Sequence, residues 1–129
     1  MFRDAPGGWV LAGYHGTGNV VSFQAKGTGG IEELKQHLTE DAFFYALIRV
    51  ANDKELEHSN KQTFRDIYFA FQGPAVSIMK RGKFVEHAGA VEQKFQPNHA
   101  QLVVKSIPAL TEAALKQKSD PKAGSHIIE

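Results

Sequence analysis

The chain has 129 residues, enough for one domain with a single sizeable core. Lys and Arg number 15 against 14 Asp and Glu, which argues against a strongly basic nucleic-acid binder, and the 42% hydrophobic and 22% charged fractions are those of an ordinary globular chain. The absence of cysteine excludes disulfide frameworks and thiolate chemistry. No apolar run approaches the length of a membrane span, and the stretch from Met1 to Pro6 lacks the hydrophobic region of a signal peptide, so a cytoplasmic location is expected.

Two short β-prone runs, Trp9 to Tyr14 and Asn19 to Phe23, flank His15-Gly16-Thr17-Gly18, whose glycines supply the positive φ angles of a hairpin loop. A second glycine cluster, Gly27-Thr28-Gly29-Gly30, leads into Ile31 to Leu38, where Ile31, Leu34 and Leu38 mark one face of a short helix. The stretch Ala42 to Val50 is almost continuously apolar and reads as a central strand buried on both faces. Ala51 to Lys61 reads as a solvated loop, and Arg65 to Phe71 as a further strand stopped by Gln72-Gly73-Pro74. A long helix is predicted from there to Phe95, beginning either at Pro74 or nearer Met79. Gln101 to Lys105 reads as a strand, and Ser106 is predicted to cap a last helix with Pro108 in its first turn and Leu110, Ala114 and Leu115 on its apolar face. The order ββαββαβα implies an α/β (α+β) layered sandwich with a central five-stranded mixed sheet flanked by helices. It forms one domain over residues 1–120, with residues 121–129 expected to be a flexible tail.

The glycine clusters lack the Gly-x-x-x-x-Gly-Lys-Ser/Thr phosphate-loop pattern, so they read as turns. Six histidines (His15, His37, His58, His87, His99 and His126) are scattered without a His-x-x-x-His pair, and no metal site or cofactor is expected. No Gly-x-Ser-x-Gly elbow occurs and nothing selects a catalytic carboxylate pair, so the chain does not read as an enzyme.

The charge pattern of the long helix is more informative. At about 100° per residue, Lys80, Lys83, His87 and Lys94 share one stripe, while Phe84, Ala88, Val91 and Phe95 share an adjacent apolar stripe that should face the sheet. Arg81 projects near the apolar side by this geometry, so the first turn is irregular or Arg81 snorkels. A solvated polar face explains such a stripe; so does docking on an acidic macromolecule. Lys61 and Arg65 form a second basic set where the loop meets the strand.

The segment from Phe69 to Phe84 resembles the core signature of the actin-depolymerising-factor homology (cofilin-like) family, in which a strand ends in a turn and a basic-small-basic triplet opens the long helix. Arg81-Gly82-Lys83 matches the triplet, and Gly73, Val76 and Ser77 match the Gly-x-x-Val-Ser that precedes it in the coactosin branch. The similarity is collinear over nearly the whole chain: Phe2-Arg3-Asp4, Phe43 to Val50, Ser59 to Arg65, Leu102 to Val104, Leu110 to Lys118 and Lys122-Ala123-Gly124 each resemble the corresponding coactosin stretch.

The resemblance implies a non-enzymatic protein that binds the side of filamentous actin without severing it, located at the cytoskeleton. Lys80, Arg81, Lys83 and His87 would be the long-helix contacts, and Lys61 and Arg65 the filament-specific ones. Compared with the family, the chain starts at the end of the usual first helix. That departure implies weak or no binding to monomeric actin and an exposed apolar groove on one sheet face, unless the tail or a second molecule covers it. Phosphoinositide binding through the same stripe is implied by the family alone. The alternatives are filament disassembly or debranching of the cofilin or glia-maturation-factor kind, and a non-actin scaffold on the same fold.

Overall fold

The architecture grows from one strand pair. In the computed structural model, β3 (Phe43–Asn52) and β4 (Thr63–Gln72) are antiparallel over ten residues each, with Phe43 opposite Gln72 and Asn52 opposite Thr63. Because strand side chains alternate between faces, one side of this pair carries Ala46, Ile48, Ile67 and Phe69, and the other Tyr45, Leu47, Tyr68 and Ala70. All eight are buried, so this ribbon must be covered on both faces.

The structure describes residues 7–14, 21–52, 63–120 and 122–129, and the side chains of all of these except 52, 63, 78–81 and 83–85. Within them, β1 (Trp9–Tyr14) lies antiparallel to β3 and to β2 (Val21–Gly27). On the other side, β5 (Ala100–Val104) runs parallel to β4, and β6 (Ile127–Ile128) parallel to β5. The sheet order is β2-β1-β3-β4-β5-β6. The short helix α1 (Gly30–Lys35) and the last helix α3 (Glu112–Lys118) supply Ile31, Leu34 and Leu115 to the core on one face, with Trp9, Leu11, Phe69 and Phe71. The long helix α2 (Ile78–Lys94) covers the other face, where Ala88, Val91 and the following Phe95 pack on Tyr45, Leu47 and Tyr68.

The layered mixed sheet matches the expectation, with three corrections. The sheet has six strands among the described residues, not five, because part of the expected tail packs: Ile127–Ile128 pairs with Val103–Val104, and Ile128 is buried. Ser106 and Pro108 do not start the last helix. Residues 107–109 form a turn, and Thr111 is the cap, its Oγ1 accepting from the Ala114 amide at 3.1 Å. Ala51 and Asn52, expected in a loop, extend β3. The glycines of the first hairpin loop and residues 53–62, Lys61 among them, lie outside the described residues.

Two local devices hold the sheet's ends. Near one end, Arg49 donates from Nε to Asp66 Oδ1 at 2.8 Å and from a terminal nitrogen to Oδ2 at 3.1 Å, a forked pair between register partners. The same guanidinium lies 5.5 Å from the Phe64 ring centroid. At the other end, the Gly73 amide donates to the Ala42 carbonyl at 3.1 Å and the Ala75 amide to the Glu40 carbonyl at 2.8 Å. A Cβ on Gly73 would stand 2.4 Å from the Glu40 oxygen and 2.5 Å from the Ala42 oxygen, both backbone atoms that cannot swing away. This close approach sets where the chain leaves β4 and enters α2. Gly73→Ala should therefore destabilise the protein by about 3 kcal/mol, the upper end of ordinary overpacking costs. Denaturant unfolding followed through the single, fully buried Trp9 measures it.

Candidate functional site

Helix α2 follows the pinned Gly73 turn, and Val76, 6% exposed, inserts into the second core just before it begins. Its second half is strongly anchored. The Tyr68 hydroxyl donates to the Ala88 carbonyl at 3.4 Å, and the Tyr68 and Phe95 rings lie 5.7 Å apart. Glu92 Oε1 accepts from the side-chain amides of Gln96, of Asn98 at 3.0 Å and of Gln101 at 2.8 Å, tying the helix end to β5.

His87 fixes the middle of the helix. Its Nδ1 lies 2.9 Å from the Tyr14 hydroxyl, which is 2.8 Å from the Tyr45 hydroxyl, so one hydrogen-bonded chain links α2, β1 and β3. These two tyrosines and Tyr68 are all the tyrosines of the molecule. Burial raises the pKa of each above the usual 10.0. At Tyr45 the bond to Tyr14 adds to the rise, at Tyr14 the bond to Tyr45 offsets part of it, and at Tyr68 the Glu92 carboxylate adds to it.

The first half of α2 is built differently. Residues 78–85 contain Lys80, Arg81 and Lys83 and no carboxylate, and the first turn has no acidic residue. A helix N-terminus carries the positive end of the macrodipole, so each cation there is disfavoured by about 0.3–1 kcal/mol where an acidic residue would be favoured by as much. Gly82, exposed between Arg81 and Lys83, has open space around an added Cβ, so internal packing does not require a glycine there. A first turn without acidic residues and an exposed glycine inside the helix are both unfavourable by intrinsic helix preferences.

Of the residues singled out in the sequence, Lys80, Arg81, Lys83 and His87 all lie on α2, and His87 is half-buried with its tyrosine partner. Arg65 lies elsewhere. It is half-buried near the opposite end of β4, donating to Ser119 Oγ at 3.0 Å just beyond α3. At about 3.3 Å per residue, it stands roughly 23 Å along the strand from Gln72, after which the chain turns into α2. Sequence reasoning missed the Tyr14–Tyr45–His87 chain, whose partners are 31 and 73 residues apart. It also missed the Glu92 clamp, although the cluster of amides after the helix was visible. Among the described residues, no group of His, Cys, Asp and Glu could hold a metal ion, and no helix is long and apolar enough to cross a membrane.

A mixed sheet with helices on both faces, its long helix led by cations after a glycine-pinned turn, defines a cofilin-homology domain. The chain belongs to the family of cofilin/tropomyosin-type actin-binding proteins, whose model matches residues 2–120. Among solved structures, coactosin from Entamoeba histolytica is similar at 24% identity and a TM-score of 0.75, over 91% of this chain and 82% of that one. Human coactosin-like protein aligns at 19% identity and 0.73, over 86% and 79%. A cofilin from Streptomyces griseoflavus reaches 0.75 at only 4% identity, over 92% and 89%, a likeness of fold with almost no shared sequence. No curated protein sequence is similar enough to count as a match.

The tyrosine cluster gives a pH dependence. Folded-state values above 10.0 mean that the native protein keeps phenolic protons that the unfolded chain gives up. This contribution to stability is complete below about pH 10 and is lost as the pH rises through the folded values. Tyrosinate absorbance at alkaline pH should appear together with the loss of native Trp9 fluorescence. A tyrosine that titrates near pH 10 in the still-folded protein would contradict this.

Proposed function

We propose that the protein binds the side of actin filaments through the first half of α2 and does not sever them. The observation that carries this reading is the cationic start of α2, which opposes the helix dipole and has no acidic partner in its first turn. Lys80, Arg81 and Lys83 would meet acidic groups on one actin subunit, with His87 at the inner end of the stripe, where its bond to Tyr14 holds the helix in place. Arg65, about 23 Å from the end of β4, and Lys61 would meet the neighbouring subunit. Contacts to two subunits suit a filament better than a single monomer, so monomer binding is weak or absent. The protein would act in the cytoplasm on the actin cytoskeleton without catalysing a reaction. Phosphoinositide headgroups would compete for the same cations.

Exposed ion pairs contribute only ~0–1 kcal/mol each, so affinity is modest and falls as salt shortens the screening length. In co-sedimentation with filaments, Arg81→Ala/Lys83→Ala should weaken binding about tenfold, equivalent to ~1.4 kcal/mol for the two together. The remaining binding should also depend less on salt. Unchanged pelleting would remove these residues from the interface. Fragmentation of filaments under the microscope would favour the disassembly reading instead.

A further inference from the structure

Ser119, at the end of α3, is 3% exposed, and with Asp66 it is one of the two buried polar or charged residues among those described. It closes the helix: its amide donates to the Leu115 carbonyl at 3.1 Å, and its Oγ donates to the Lys116 carbonyl at 3.2 Å. The hydroxyl proton is thereby directed at the helix, which leaves the oxygen to accept from Arg65 Nη1 at 3.0 Å. A hydroxyl that donates becomes a better acceptor, and the C-terminal end of a helix carries the negative pole of its dipole. Both features favour a guanidinium at this point.

Strand geometry brings the two residues together. Arg65 pairs with Val50 and shares the sheet face of Ile67 and Phe69, on which Leu115 of α3 packs. Asp66, the next residue along β4, points to the opposite face, and Arg49 donates to both of its carboxylate oxygens. Asp120 turns its carboxylate to the Lys122 amide at 2.9 Å. Among the described residues, no carboxylate lies within ion-pair distance of Arg65.

A guanidinium has five N–H donors, and the bond to Ser119 uses one of them. Half-buried Arg65 therefore keeps its charge and its remaining donors for a partner, while its position is set from inside the domain. A long side chain that is loose before docking must be immobilised on binding, a cost that a preformed bond avoids. We infer that Ser119 is a positioning residue for filament binding: it holds Arg65 in the orientation that meets the neighbouring actin subunit. This rests on the filament contact proposed for Arg65, and the test separates the two.

Filament co-sedimentation at several salt concentrations is the assay, with Trp9-monitored unfolding to show that each variant is folded. Ser119→Ala should weaken binding about threefold and leave its salt dependence unchanged, because no charge is lost. Arg65→Ala should weaken it further and make it less sensitive to salt. In the Arg65→Ala background, Ser119→Ala should have no additional effect, whereas a hydroxyl that only stabilised α3 would act equally in both backgrounds. Ser119→Cys, which fills nearly the same space with a weak acceptor, should match Ser119→Ala and replaces it if that variant does not fold. Wild-type affinity in folded Ser119→Ala or Ser119→Cys, with Arg65→Ala weakened, would overturn the inference and leave the Arg65 contact standing. An equal loss in both backgrounds would overturn it as well. Unchanged binding of Arg65→Ala would remove the filament contact itself, and the inference with it.

Discussion

The β3–β4 pairing is the constraint on which the remainder of the molecule depends. Ten residues on each strand, apolar towards both faces, cannot be stable with either face in water. One face recruits α1, α3 and the main core around Trp9, Phe69 and Phe71. The other recruits α2 through Ala88, Val91 and Phe95, and the three tyrosines add hydrogen bonds to that contact. Where β4 ends, Gly73 allows a backbone approach that no side chain would permit, and this sends the chain back over the sheet as α2. The position of the cationic segment therefore follows from strand pairing and one glycine.

This arrangement leaves α2 with two differently built halves. The second half is held by His87, Ala88 and Glu92 and serves the fold. The first half carries charge of the wrong sign for its own helix terminus, which suits the docking role proposed for it. The family is one of actin-binding proteins, the partner class assumed in that proposal. The anchored half keeps the helix fixed, so the proposed docking would not require the cations to be ordered first.

Much of this was legible in the sequence because the signals were periodic. The apolar runs at 42–50 and 65–71 located the central strands, and of the apolar stripe of α2, Ala88, Val91 and Phe95 face the sheet as expected, while the Phe84 side chain lies outside those described. The extent of β2 was not legible. Gln24-Ala25-Lys26-Gly27 is polar and irregular because it lies on a sheet edge with a register shift. The last helix was misread because Ser106 and Pro108 mimic a cap, whereas Thr111 is the residue placed to bond the Ala114 amide. The sixth strand was hidden because two residues are too few to show a period. At the candidate site, the order of cations could be read from spacing. The bonds of His87 to Tyr14 and of Arg65 to Ser119 could not, because they join residues 73 and 54 positions apart.

The central claim is that the first half of α2, and not its anchored second half, meets the filament. Amide hydrogen exchange of the free and filament-bound protein tests this most directly, because it reports each segment separately. The account predicts slowed exchange on binding in residues 78–84 and unchanged exchange in β2 and in residues 90–95. Protection confined to β1 and β2, or no change in residues 78–84 in a fully bound sample, would contradict it.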